Sequence, residues 1–220
     1  MKRYQSLFDC IFTGSMKEAI INPKYMQELI QLLKDNQPQI STHVFSFKMA
    51  EILSKILKSY KIDFEIINDI SSDRFLKTGR YDHTTMTITL FGVYNNLYKI
   101  IQSEESFNKF LKEFKELAGH ELIHREQYVK DVSIFLTHKA TDDIKTYLSD
   151  KKEIMAYAWQ IVEYMRYSLT DHQIYSLLKS DNSEKYEYHN ALFQYHKHFT
   201  IQDKELQLLY KYMYLYLGEK

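Results

Sequence analysis

A single cysteine, Cys10, excludes any internal disulfide and suits a reducing compartment, so the expected setting is cytoplasmic. Charge of one sign is also missing. The 29 basic and 29 acidic side chains cancel, and the pI of about 7.1 leaves no basic footprint for nucleic acid. No apolar run approaches the ~18 residues that a membrane span requires. The charged start Met1-Lys2-Arg3-Tyr4 leads into no apolar signal segment, so no targeting leader is expected. The 5 Gly and 2 Pro stand against 19 Tyr and an excess of Lys, Ile and Asn, a composition that suggests AT-rich coding DNA and says nothing about chemistry. What is present is ample apolar material: 45% hydrophobic and 15% aromatic residues, enough for a packed core. One domain over 1–220 is expected, with residues 171–220 as a helical C-terminal extension.

Pro23 to Asn36 reads as a helix with Asn22 as N-cap and Pro23 at the first helical position. Ser41 to Tyr60 reads as a second helix, with Val44, Phe45, Phe47, Ile52, Leu53, Ile56 and Leu57 as its buried set. Ile62 to Ile67 and Thr85 to Phe91 alternate as strands do, and the polar stretch Ser71 to His83 between them reads as a loop. The Thr-rich face of the second strand suits a half-exposed edge, where an extended peptide could add as a further strand. Ser103 is the expected N-cap of a long helix whose stripe runs Phe107, Phe110, Leu111, Phe114, Leu117, Ala118. Asp131 to Thr146 reads as a short helix and a loop, and Ser149-Asp150 opens the next long helix, apolar at Ile154, Ala158, Ile161, Val162 and Met165. From Asp171 the chain is helical again, ending in the Leu/Tyr stripe of Ile201 to Leu217.

The long helix continues into His120-Glu121-Leu122-Ile123-His124, an HExxH sequence. Residues four apart share a helix face, so both imidazoles can reach one ion while Glu121 stands beside it as a general base. The stripe spacing places the motif at the border of the buried face. Gly119, costly in a helix interior by ~1 kcal/mol, implies that something approaches the backbone there, a strand or a substrate. The competing reading is a pair of hydrogen-bonded or exposed histidines with no ion.

Catalytic zinc takes three protein ligands and leaves one position for water. Arg125-Glu126-Gln127-Tyr128 follows the motif where the metzincin pattern needs Gly and a third His, so that variant is excluded. A carboxylate from the next long helix is the other solution. Glu153 is the natural candidate, sharing a face with Ala156, Tyr157 and Gln160. Its rival role is local: Asp150-Lys151-Lys152-Glu153 also fits a capping box. Glu163 is the alternative ligand. His189, His196 and His198 cluster near the C-terminus and, with Asp82-His83, read as solvated or packed residues; Cys10 reads as a small buried apolar one.

His120-Glu121-Leu122-Ile123-His124 with Glu153 on a later helix resembles the gluzincin group of zinc metallopeptidases. HELIHREQ with YLSDKKEIMAYAWQ is more narrowly similar to small metallopeptidases encoded by bacteriophages, across about Arg80 to Met165. The resemblance implies an α+β, zincin-like fold, with a small sheet packed on an active-site helix and a glutamate helix. It also implies a Zn²⁺ held by His120, His124 and Glu153, with Glu121 catalytic and a peptide or protein as substrate. Tyr157 is the second catalytic candidate, as a hydrogen-bond donor to the oxyanion, against the plainer role of a packed aromatic. Thermolysin-like gluzincins carry an Asp where this chain has Tyr157, so the residue that orients a histidine must be found elsewhere, among Asp131, Asp142 or Asp143. The alternatives are a catalytically inactive or structural protein of the same fold, for instance in a virion, and a non-proteolytic zinc hydrolase. Deformylase-type enzymes add an upstream Cys or Gln motif that this chain lacks.

Overall fold

The computed structural model describes residues 42–57, 61–133, 143–181 and 183–218. The expected helix Pro23–Asn36, Cys10 and Asp142 lie outside the described residues. The fold is α+β: a three-stranded mixed sheet and otherwise helix. Contacts divide the chain into two units, Met1–Ala118 and Gly119–Lys220.

In the first unit, helix α1 (Thr42–Leu57) leads into strand β1 (Ile62–Ile67). The two are neighbours: Ser54 Oγ donates to the Phe64 carbonyl across 3.2 Å, and Met49 and Leu57 of the helix are buried, both 1% exposed, whereas Phe47, expected in the buried set, is 54% exposed. β1 buries Ile62 and Phe64 and exposes Asp63 and Glu65, as its alternation requires. The stretch expected to be a loop contains strand β2 (Leu76–Asp82), in which only Leu76 is fully buried. Its side chains carry almost no apolar alternation; the strand exists because its backbone pairs antiparallel with β3 (Thr87–Val93). The Thr-rich strand is therefore not an edge. β3 lies in the centre, paired in parallel with β1 on one side (Ile62 opposite Ile88) and with β2 on the other. Both its edges are occupied, which removes it as a site for strand addition, and Thr89 is buried there, 7% exposed. Gly92 on β3 faces the Phe64 ring so closely that a Cβ would stand 2.6 Å from it.

After a short helix α2 (Tyr94–Leu97) and a 3₁₀ turn (Tyr98–Ile101), helix α3 runs from Glu104 to Lys130. Ser103 caps it as expected, its Oγ accepting from the Ser106 amide across 3.1 Å. In its first half, Phe110 meets Phe75 edge-on and Glu113 Oε2 accepts from the Phe75 and Leu76 amides at 2.7 and 3.0 Å. Arg74 pairs with Glu113 and Glu116, whose carboxyl burial pushes up to about 7. This half of α3 is thus tied to the start of β2.

The second unit holds the rest of α3, then α4 (Ile144–Ser149), α5 (Lys151–Met165), α6 (Asp171–Lys179), a 3₁₀ turn (Ser183–Glu187), α7 (Asn190–His198) and α8 (Lys204–Tyr216). Ile154, Ala158, Ile161, Val162 and Met165 form the predicted buried face of α5 and pack with Ile174, Leu192, Leu209 and Met213 from the later helices. Thr170 and Gln173 close a capping box at the start of α6. Arg166 ties this end together, bonding Asp171 through two nitrogens at 2.8 Å, Glu163, and the Tyr216 carbonyl at 3.1 Å. Among the described residues no helix is long and apolar enough to cross a membrane.

Gly119 is explained by neither a strand nor a substrate. A Cβ placed there would lie 1.9 Å from the Trp159 ring of α5, so the indole fills the space a side chain would need. Trp159 is 1% exposed, with little room to retreat. Gly119→Ala gains a little helix propensity but overpacks this contact. The expected outcome in urea denaturation is a net loss of about 1–3 kcal/mol; equal or greater stability would contradict the packing described.

Candidate metal centre

The chemistry-bearing residues come from two helices and a tight corner. HExxH occupies the second half of α3, where His120, Glu121 and His124 are 5, 7 and 6% exposed. The motif is thus buried outright, not placed at a surface border as the stripe suggested. The corner is Asp150, which ends α4 and caps α5, its carboxylate accepting from the Lys152 amide at 3.0 Å. That cap puts Glu153 in the first turn of α5, where the helix dipole favours a negative charge. Its side chain does not complete a capping box. It turns to the histidines instead, with Oε2 at 3.3 Å from His120 Nε2 and 3.4 Å from His124 Nε2. The two Nε2 atoms are 3.0 Å apart. Among the described residues this is the one such group of three able to hold a metal ion.

Tetrahedral zinc binds its donors at about 2.0–2.1 Å, which separates them from one another by roughly 3.3 Å. The triangle of 3.0, 3.3 and 3.4 Å is the size that requirement sets. The far side of each ring agrees. His124 Nδ1 lies 3.1 Å from Gln127 Oε1, and His120 Nδ1 lies 3.1 Å from Gln160 Oε1. With both Nδ1 positions facing carbonyl acceptors, the donor sides of the rings point away and their lone pairs converge on Glu153. The donor set fits a divalent cation.

Electrostatics carry the same message. Burial alone works against a cation on His124, yet the Glu153 carboxylate, with a contribution from Glu121, brings the ring up to about 9. Burial likewise works against charge on Glu153, and the histidines overcome it, holding the carboxyl well below its usual range. In the metal-free protein a proton takes the place of the cation. Tyr147, not anticipated from sequence, donates its hydroxyl to Glu153 Oε2 across 2.7 Å and lies 3.5 Å from the Tyr157 hydroxyl. Burial and the neighbouring carboxylate keep the Tyr147 phenol protonated. Tyr157 stands with its ring against His120, centroids 4.7 Å apart, and burial pushes its hydroxyl up to about 12. Glu121 acts electrostatically on both His124 and Tyr157, so its charge is felt in the same space.

The other candidates go elsewhere. Glu163 is paired with Arg166 and is no ligand. Asp131 and Asp143 accept from local backbone amides, those of Ser133 and Thr146. The Nδ1 atoms of the two histidines face Gln127 and Gln160, whose amides carry no spacing signature in sequence. Of the C-terminal histidines, expected to be solvated or packed, all three are half-buried and two have local partners. His189 caps α7 through Nδ1, and His196 bonds the Tyr210 hydroxyl at 2.9 Å, burial pulling it down to about 4. Asp82 accepts from the Thr84 amide in its own turn. No protein-family model, curated protein or solved structure matches the chain, so the site stands on its own geometry.

The pH behaviour follows from the two shifts. His124 is raised from 6.5 to about 9, so its contribution to metal-free stability is complete below about pH 6.5 and fades as pH rises through about 9. Glu153 is depressed, so its contribution holds above its ordinary 4.5 and fades as pH falls. Thermal unfolding of the metal-free protein is therefore expected to peak at roughly pH 5–6.5 and decline toward about pH 9. A divalent cation entering this group must displace the proton, so its affinity runs the other way, rising with pH and releasing about one proton near neutrality. Calorimetric titration with a divalent metal salt, zinc among others, in buffers of different ionisation enthalpy checks this; metal uptake without proton release would contradict it.

Proposed function

We propose that this chain is a zinc-dependent peptide hydrolase, working as the gluzincins that it resembles do. The observation that carries the reading is the buried convergence of His120, His124 and Glu153, with Glu121 buried on the same helix and its charge acting on His124. His120 and His124 would hold the ion through Nε2 and Glu153 through Oε2. When bound, zinc supplies Lewis acidity, acidifying a water and polarising a substrate carbonyl. Glu121 accepts the proton from the attacking water and returns it to the leaving amine. Tyr157 remains a protonated phenol at neutral pH and is the donor assigned to the oxyanion that develops on the substrate. Tyr147 keeps Glu153 Oε2 in place from behind. The partner is a peptide or protein substrate, and the single cysteine suits work in a reducing cytoplasm.

Glu121→Gln keeps the shape of the side chain but removes the base. Zinc stoichiometry is expected to stay unchanged while cleavage of a peptide library falls by ~10²–10⁴-fold. Wild-type protein that holds zinc and cleaves nothing in a broad library sinks the hydrolase reading and leaves a structural metal protein. Glu153→Ala is expected to lose stoichiometric zinc; retention at wild-type affinity would remove Glu153 from the ligand set.

A further inference from the structure

We propose that Gln127 and Gln160 are the positioning residues of the metal centre, each fixing one histidine in the tautomer that presents Nε2 to the ion. The inference rests on the metal reading above and adds residues to it. A buried imidazole that ligates through Nε2 must carry its proton on Nδ1, and that N–H needs an acceptor. An amide offers a carbonyl on one side and a donor on the other, so which atom faces the ring decides the matter. For Gln127 the protein settles it: Gln127 Nε2 donates to the Lys152 carbonyl across 3.1 Å, leaving Oε1 toward His124 Nδ1. The Gln160 oxygen occupies the same place behind His120. Both amides are buried, at 6 and 5% exposure, so water does not compete for the acceptor.

The arrangement braces one helix against the other. α5 supplies Glu153 and, two turns on, the acceptor behind His120. α3 supplies both histidines and, one turn on, the acceptor behind His124. Gln127 also reaches the α5 backbone at Lys152, immediately before Glu153, so one side chain sets both a histidine ring and the start of the ligand helix. The charge differs from that of a site backed by carboxylates. Glu121 and Glu153 already balance a divalent ion, and neutral amides add no further negative charge behind the imidazoles. The rings are oriented without being made more basic, which trades some affinity for a more strongly acidic ion.

Zinc dissociation constants measured by competition with a chromophoric chelator test this, alongside melting of each metal-free variant. Gln127→Leu and Gln160→Leu remove the acceptors and are expected to weaken zinc binding by about 10–100-fold. Gln160→Glu keeps an acceptor in place and adds charge, and is expected to bind at least as tightly as wild type. Wild-type affinity in both folded Leu variants overturns the proposal. Should the Leu variants fail to fold, Gln160→Glu decides alone, and weaker binding than wild type overturns it. Wild-type protein that takes up no zinc refutes the metal reading itself, a result distinct from either of these.

Discussion

Two imidazole nitrogens and a carboxylate oxygen within 3.4 Å of one another, out of reach of water, repel unless a proton or a metal cation sits among them. Much of the second unit can be understood as meeting that constraint. The Asp150 cap turns Glu153 inward, Tyr147 holds the same carboxylate oxygen, and the two glutamines face the histidines from behind. Gly119 lets Trp159 come against the backbone of the helix that bears the histidines. Buried lone pairs of this kind are costly, and a protein keeps them where a cation repays the cost.

α3 carries this site and is secured along its length by different means. Its first half is bound to the sheet unit by Glu113, which accepts two backbone amides, and by Phe110 against Phe75. Its second half bears the histidines, and there the neighbours are polar and specific. Rigid support of one half and exact donor placement in the other are what a metal centre requires of a helix, since errors of half an ångström in donor position weaken binding.

Local signals in the sequence are those that survive folding. His120 and His124 are legible because helical spacing is a covalent fact, and Ser103 and Asp150 are legible because caps are local. β1 is legible from its alternation. What is decided by tertiary contact is not. Glu153 fits a cap and a ligand equally well until the histidines are in place. β2 has no apolar alternation to announce it and exists through pairing with a strand that follows it, which also turns the expected edge strand into the centre. The aspartates looked better than the glutamines as partners for the histidines because carboxylates are the stronger acceptors. The folded chain spends Asp131 and Asp143 on turns and uses amides instead. Tyr147 escaped notice because a phenol six residues before a ligand has no pattern until the Asp150 corner folds it back.

X-ray absorption at the zinc edge, on protein loaded with one equivalent, tests the central claim most directly. Zinc held by His120, His124 and Glu153 gives a shell of two imidazole nitrogens and oxygen donors, with no sulfur, at about 2.0–2.1 Å. Loss of the imidazole scattering in His120→Ala and His124→Ala would complete the assignment. A shell of water oxygens alone, or one with the imidazoles unaffected by those substitutions, would contradict it.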